Sequence, residues 1–522
     1  MRLLNLKQSW NLLQEKAFGE ECCPPEFEVV GKMISKNCKG LPLALVVIGG
    51  LLYKAERTQD YWKYIAENVN SAVTSNDNQF MEILSLSYNH FPHHLRPCFL
   101  FMGVFPEDQE IFVFHLIKLW VGAGFLNVQS GFSNLLHPLP MDFDLIDRNL
   151  ILVRKRGYNG QIKTCSIHDL LRDLCLRKAQ EEKFNRVVNW NKDSTYPEPT
   201  YDERHLSIHS YSPYILEDRD DSPVHSFLYF CRTDTDNLFL SSTVSFPLLR
   251  VFDSLTIRFL QFPIQIVRLV NLRYLALISI IGDGYLPASI SKLRNLQTLI
   301  VYQERYNNTI GLPVEIWNMP NLRHLVLERG FLPHPTGARI GKEMCSNSKI
   351  MPSKALCGKQ NEGEFRRLKY LLIEWNDLEN WKANETHFPS LQHLSLRYCY
   401  KLIEIPSGIG EIPTLQVIGL YQCCPSAVTS AELIQEEQQS FGNDDLAVHV
   451  YSYNELYEHH KGSSFRKKLM ETRDGFSAIF LVIANKAGKR RLRLQGTLNI
   501  KNKIVMSNML SLNRMEILYM TR

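Results

Sequence analysis

Leu272-Arg-Tyr-Leu-Ala-Leu277, Leu296-Gln-Thr-Leu-Ile-Val301, Leu322-Arg-His-Leu-Val-Leu327 and Leu391-Gln-His-Leu-Ser-Leu396 decide the fold. Each is an LxxLxL segment, and the pattern recurs. Aligned on the rung residue, it centres on Leu206, Leu228, Phe252, Leu275, Leu299, Leu325, Leu371, Leu394 and Ile418, with steps of 22, 24, 23, 24, 26, 46, 23 and 24. A fixed period of this length marks a solenoid, because one repeat cannot bury its own apolar face and stacked repeats share a core. The 46-residue step reads as two periods with one rung eroded, and a loop or deletion within Arg329–Glu364 explains the break.

A second element recurs between the rungs. Phe262-Pro263, Leu286-Pro287, Leu312-Pro313 and Ile405-Pro406 are each followed three residues on by Ile266, Ile290, Ile316 and Ile409. The proline turns the chain off the strand, and the isoleucine packs beneath the sheet. Strand alternation then sends the residues beside the inward leucines to the opposite, concave face. Tyr274, Tyr302, His324, Tyr370, His393, Arg397 and Tyr421 are the candidate ligand-binding residues there. Aromatic and apolar residues on an open strand face suit a protein partner. Packing of the same residues against the N-terminal part of the chain is the equal alternative.

Upstream of the repeats the apolar spacing is helical. Phe27, Val30, Met33, Ile34 and Cys38 mark an amphipathic helix, and Pro42 opens a helix that is apolar all round. Further helices end near Phe91-Pro92 and span His94–Phe105, and another covers Ile111–Trp120. Two strand-like pieces, Leu150–Lys155 and Gln161–Ser166, flank the hairpin signal Asn159-Gly160. Helices plus a hairpin make a winged helix. Its helix over Ile111–Trp120 carries a single Lys118, so it is expected to pack on neighbours and not to read DNA. Ser166 followed by Asp169 reads as a capping box for the next helix, with His168 just inside its N-terminus.

The fold class is therefore multidomain, α plus α/β. A small helical domain (1–76) and a winged-helix domain (77–190) precede a linker (191–203), a curved leucine-rich-repeat solenoid with a parallel sheet on its concave face (204–440), and a divergent tail (441–522).

Of 522 residues, 45% are hydrophobic and 22% charged, and the net charge of +5 is too mild to imply nucleic acid or a membrane surface. Twelve cysteines without a CxxC pair give neither a disulfide framework nor a zinc module, and Cys165, His168 and Cys175 lack a fourth ligand. No catalytic or metal site is expected. The apolar runs are too short to span a bilayer, no export signal stands at Met1–Lys16, and a reducing, cytoplasmic setting is expected. Gly488–Leu494 is a basic cluster better read as a solvated segment than as a nuclear signal.

Gly40-Leu-Pro-Leu43, Cys98-Phe-Leu-Phe-Met-Gly-Val-Phe-Pro-Glu-Asp108 and Ile167-His-Asp169, in this order before leucine-rich repeats, resemble plant NB-ARC–LRR disease-resistance proteins of the coiled-coil class, closest to the late blight resistance group. The resemblance covers residues 1–440 or so and implies a module that clamps ADP at rest and opens into a signalling oligomer on exchange for ATP. It places Pro42 near the base and His168 at the β-phosphate, with Asp169 helping to hold the closed arrangement; Ser166 stays a structural cap. Ile167 replaces the usual Met of that last motif, a mild apolar exchange.

The larger departure from the family is an absence: no GxxxxGK[ST] loop and no strand ending in paired acids occurs in the chain. Loop N–H groups, the lysine and a metal-held acid carry most phosphate binding. In family terms the chain begins partway through the module, truncated at its N-terminus, so the expectation is no enzyme and no cofactor held by this chain alone. The expected partner is a protein: a pathogen effector, a guarded host protein or another resistance protein. The alternative is a nucleotide switch whose P-loop domain comes from another chain or was lost through a truncated gene model. A ubiquitin-ligase receptor ranks last, since no F-box-like segment precedes the repeats.

Overall fold

The apolar spacing of the first quarter becomes four helices, α1 (Leu6–Phe18), α2 (Pro25–Asn37), α3 (Pro42–Lys54) and α4 (Gln59–Thr74). The computed structural model describes residues 3–74, 79–126, 140–156, 162–189, 203–210, 223–231, 246–259, 262–279, 286–303, 310–333, 364–376 and 378–451. The chain divides into two units, Met1–Gly462 and Ser463–Arg522, and every described residue lies in the first. The Asn159-Gly160 turn, the segment 342–360 and the basic cluster at 488–494 lie outside the described residues.

Asn5 caps α1 by accepting from the Gln8 amide at 2.9 Å, while the Gln8 side chain accepts from the Asn5 amide at 3.1 Å. The apolar faces meet in a core of Leu13, Phe18, Phe27, Ile34, Ile48 and Trp62, with Phe18 stacked on Trp62 at 5.4 Å. As its composition demands, α3 is buried on most sides. A Cβ at Gly50 would lie 2.5 Å from the Arg148 backbone, so only glycine lets α3 sit this close to the next domain.

That next domain comprises α5 (Gln79–Asn89), α6 (Arg96–Phe101), β1 (Ile111–Phe112), α7 (Val113–Ala123), α8 (Pro140–Asp147), β2 (Leu152–Arg156), β3 (Ile162–Ser166) and α9 (Asp169–Glu181). The strands form an antiparallel sheet in the order β1-β3-β2. It is a winged helix. Ile111 and Phe112, expected to open a helix, instead pair with Cys165 and Thr164 as the third strand of the wing.

The capping box expected from Ser166 and Asp169 does not form. Ser166 is the last residue of β3 and its Oγ accepts from Arg154 Nε at 2.6 Å, which removes it from the helix end. His168 is itself the cap of α9, its Nδ1 accepting from the Leu170 amide at 3.3 Å.

The solenoid contributes β4 (Asn185–Val188), β5 (His205–Ile208), β6 (Ser226–Tyr229), β7 (Val251–Phe259), β8 (Tyr274–Ser279), β9 (Thr298–Gln303), β10 (Ile310–Gly311), β11 (His324–Glu328), β12 (Gly330–Phe331), β13 (Tyr370–Glu374), β14 (His393–Arg397), β15 (Val417–Tyr421), the helix α10 (Pro425–Ser440) and β16 (Ala447–Tyr451). All of these strands except the β10–β12 pair join one parallel sheet of 11 strands. Leu275, Leu299, Leu325, Leu371, Leu394 and Ile418 stand in register and are fully buried. Each such side chain contributes about 1.5–3 kcal/mol by leaving water. The Pro-x-x-Ile elements are 3-10 turns whose Ile266, Ile290, Ile316 and Ile409 close the core from below. Asn271, Asn295 and Asn321 then tie each turn to a carbonyl of the preceding repeat at 2.8–2.9 Å.

The sheet differs from the sequence alignment in three places. Phe227, not Leu228, pairs with Leu206 and Phe252 and fills the core, and Leu228 turns to the other face. A one-residue slip reverses every side chain in a strand, and an all-apolar Phe-Leu-Tyr run gives alternation nothing to act on. Strand β11 pairs directly with β13, so the 46-residue step contains no rung in the sheet between them. The sheet begins at Asn185 and ends at Tyr451, past both ends of the array as read from leucine spacing.

Candidate functional site

Helix α7 lies on the concave face of the solenoid. Its residues Phe114, Lys118 and Gly122 recur every four positions and share one helical face, with His115 beside them. Gly124, at φ +90, ends the helix, and its amide donates to Trp120 O at 3.0 Å.

Contact with the sheet is close at the C-terminal end of α7. A Cβ on Gly122 would stand 2.9 Å from Tyr274 Cβ and 3.1 Å from Val251 Cγ2, so any larger residue lifts the helix off β7 and β8. Two turns earlier His115 bridges two strands, with Nε2 3.0 Å from Asp253 Oδ2 and Nδ1 3.3 Å from the Tyr274 hydroxyl. Burial and the neighbouring Asp253 carboxylate drive the Tyr274 pKa well up, so the phenol stays protonated.

At the N-terminal end of α7, Phe114 meets His324 edge-on at 6.3 Å and Tyr370 at 5.0 Å. Lys118 is 4% exposed, and its Nζ sits 3.8 Å from the Phe114 ring centre and 4.8 Å from that of Tyr370. Burial, reinforced by the Arg397 charge, pulls the Lys118 pKa down to about 7. Burial likewise pushes the His324 imidazole well below its ordinary value, with Lys118 adding to the shift. Ala276, Ile300, Val326 and Leu372 complete a core shared by the sheet face and the winged helix.

The first rungs are stitched to the loop after α6. Ser207 Oγ donates to Val104 O at 2.7 Å, and Asn185 Nδ2 donates to Leu100 O at 2.8 Å. His205 lies among the rings of Phe101, Phe125 and Phe184, and burial there takes its pKa down to about 3. Arg172 of α9 donates through Nε to Phe105 O at 2.7 Å and fixes the same loop from the other side.

The seven concave-face candidates therefore separate. Tyr274 and His324 are buried under α7, and Tyr302 and Tyr370 pack at its edge. His393, Arg397 and Tyr421 lie further along, half-buried, where His393 stacks on Tyr370 at 5.7 Å, Arg397 lies 4.6 Å over Tyr421, and Tyr421 stacks on Tyr451 at 4.3 Å. Although burial alone would lower it, Glu374 and the surrounding tyrosines raise the Arg397 pKa, so this guanidinium stays charged. The sequence reading passed over His115, Gly122 and Asp253. The lone acid on an otherwise apolar strand, Val251-Phe-Asp253, was the available signal.

Pro42 stands in the first turn of α3, half-buried, and His168 caps α9 with Asp169 exposed beside it. His168 Nδ1 is already spent on the helix cap, and the adjacent carboxylate repels phosphate.

The sequence profile of the disease-resistance-protein winged helix domain matches residues 104–175, the span that contains α7, the wing and His168. The late blight resistance protein homolog R1B-12 of Solanum demissum is 34% identical over 343 residues, covering 62% of this chain and 25% of that protein. The chain is a homologue of plant disease-resistance proteins. Late blight resistance protein R1-A of Solanum demissum is 28% identical, over 84% of this homologue and 42% of its own length. The homologue thus spans less than half the length of this curated relative. Among solved structures, the plant peptide hormone receptor RGFR1 in complex with RGF2 aligns at 19% identity with a TM-score of 0.31, over 48% of this chain and 36% of that one. Among the described residues no helix is long and apolar enough to cross a membrane.

Proposed function

We propose that this chain is the recognition and restraint portion of an intracellular plant immune receptor. The observation that carries the reading is α7 seated on the concave face through Gly122, His115 and Lys118. In that position the winged helix closes the central rungs and leaves β14–β16 for a protein ligand, whether a pathogen effector, a guarded host protein or another resistance protein. Ligand contact at His393, Arg397 and Tyr421 is felt by Tyr370, and Tyr370 touches both Phe114 and Lys118 of α7. A small change at the open rungs thereby reaches the restraint.

Nucleotide handling is regulatory in this reading, with His168 and Pro42 as peripheral contacts and a P-loop domain supplied elsewhere. The intact chain titrated with ADP should show no binding tighter than about millimolar, roughly 4 kcal/mol. Tighter binding by this chain would favour a self-sufficient switch. For the restraint, a Gly122→Leu chain should gain binding of the apolar-surface dye anilinonaphthalene sulfonate while keeping its helical circular dichroism. An unchanged dye signal would remove the restraint reading.

A further inference from the structure

The residue that immediately precedes each strand forms a column along one edge of the concave sheet. Arg204, His225, Arg250, Arg273, Arg323 and Lys369 occupy it, with Gln297 between Arg273 and Arg323. Backbone hydrogen bonds join each member to the next: His225 N to Arg204 O at 2.6 Å, Arg250 N to His225 O and Arg273 N to Arg250 O at 2.7 Å. The series continues from Gln297 N to Arg273 O at 2.7 Å, then Arg323 N to Gln297 O and Lys369 N to Arg323 O at 2.8 Å. Neighbouring members are therefore one strand spacing apart, about 4.8 Å. Seven successive positions hold no acid and no apolar side chain.

The arginine charge has no carboxylate partner among the described residues. Among the described residues no carboxylate lies within 4.0 Å of Arg204, Arg250, Arg273 or Arg323, and the nearby Glu203 faces Arg186. Burial followed by mutual repulsion lowers the pKa of Arg250 beside Arg273 and Arg204, and that of Lys369 beside Arg323. One internal use is visible: Arg250 Nη1 donates to Ala123 O at 3.5 Å, where the carbonyl end of α7 carries partial negative charge. That contact accounts for one member of the column and leaves Arg204, Arg273 and Arg323 without a counter-charge among the described residues.

We infer that this column is a docking site for an extended acidic segment of a partner protein, its carboxylates paired with Arg204, Arg273 and Arg323. The inference rests on the protein-recognition reading above and gives that ligand a chemistry. Alternate side chains of an extended peptide are about 6.8 Å apart against about 4.8 Å along the column, so each acid on one face falls within about 2.4 Å of a column position, an offset that long arginine side chains span. Single-stranded nucleic acid fits less well, because it needs exposed ring faces between the cations. The rings next to the column, Tyr274 and Tyr370, are held under α7.

The test is titration of the intact chain with an alternating Glu-Gly dodecamer, an alternating Gln-Gly dodecamer and an oligodeoxythymidine of equal length. Arg273→Gln/Arg323→Gln is the decisive variant. Glutamine already fills the column at Gln297, Gln392 and Gln416, so the substitution suits the local backbone. The Glu-Gly peptide should bind the native chain with steep salt dependence and bind the variant at least about tenfold more weakly. An Arg204→Gln chain, altered at an exposed position, should show a smaller loss in the same direction. The inference is overturned if the Glu-Gly peptide does not bind, if the Gln-Gly peptide binds equally, if the double variant binds within twofold of native, or if the oligonucleotide binds more tightly. Failure here together with dye binding by Gly122→Leu removes the column and leaves the restraint standing.

Discussion

The concave face of one sheet meets two different environments. From β7 to β13 its aromatic and apolar residues are sealed by α7, and Tyr274 and Ala276 have no exposed surface. From β14 to β16 the equivalent positions hold His393, Arg397, Tyr421, His449 and Tyr451, all at least partly exposed. The residue types are similar, and only the neighbours differ. Exposure on a repeat protein is thus set by what docks on it, which strand alternation does not encode.

The largest test of this contrast is Gly122→Leu. The new side chain would collide with Tyr274 and Val251, and overpacking of this kind costs about 1–3 kcal/mol. The cost should appear as lost thermal stability together with greater exposure of the β7–β9 face. The first added carbon at Gly122 already meets Tyr274 at 2.9 Å, whereas in Gly419→Ala at the open end it meets nothing nearer than 3.4 Å, so Gly419→Ala should change stability far less.

Next in size is Lys118→Met. A lysine with a pKa near 7 when folded and 10.5 when unfolded binds fewer protons in the folded state between those values. Stability should therefore rise with pH from about 7 to 10.5 and stay flat below 7. Replacing the buried ammonium with an apolar chain of similar length should stabilise the protein at neutral pH by on the order of 2 kcal/mol, net of the ring contacts it gives up. The variant should lose that rise with pH. A matching profile in both chains, followed by thermal melts between pH 6 and 10, would show that Lys118 is not buried by α7.

Asp253→Asn comes third. It should weaken the bridge from His115 and cost about 1–2 kcal/mol at the docked face. Arg397→Gln at the open end gives up the stacking over Tyr421 and the charge facing Glu374, and should cost about 1 kcal/mol in chemical denaturation, because the glutamine amide can still face that carboxylate. A larger loss from Arg397 than from Asp253 would reverse the contrast.

Much of the architecture was legible in the sequence because periodic signals dominate it. The inward leucines, the Pro-x-x-Ile turns and the apolar α7 each carry a spacing that one geometry satisfies. The signal failed where spacing was uninformative. Phe227-Leu228 is apolar on both faces, and Ser166 satisfies a capping pattern while belonging to a strand. Of the site, Lys118 stood out as the lone charge on an apolar helix, but its pairing with Tyr370 joins residues 252 positions apart. The cationic column was present in Leu249-Arg250, Leu272-Arg273, Leu322-Arg323 and Leu368-Lys369 and becomes meaningful only when the strands lie side by side.

Hydrogen exchange on the intact, unsubstituted chain tests the docked winged helix most directly. Slow amides of Val113–Ala123 should exchange together with those of β8 and β9 as one cooperative unit, while β15 and β16 exchange faster. Rapid exchange of α7 independent of β8 and β9, or equal protection at both ends of the sheet, would contradict it.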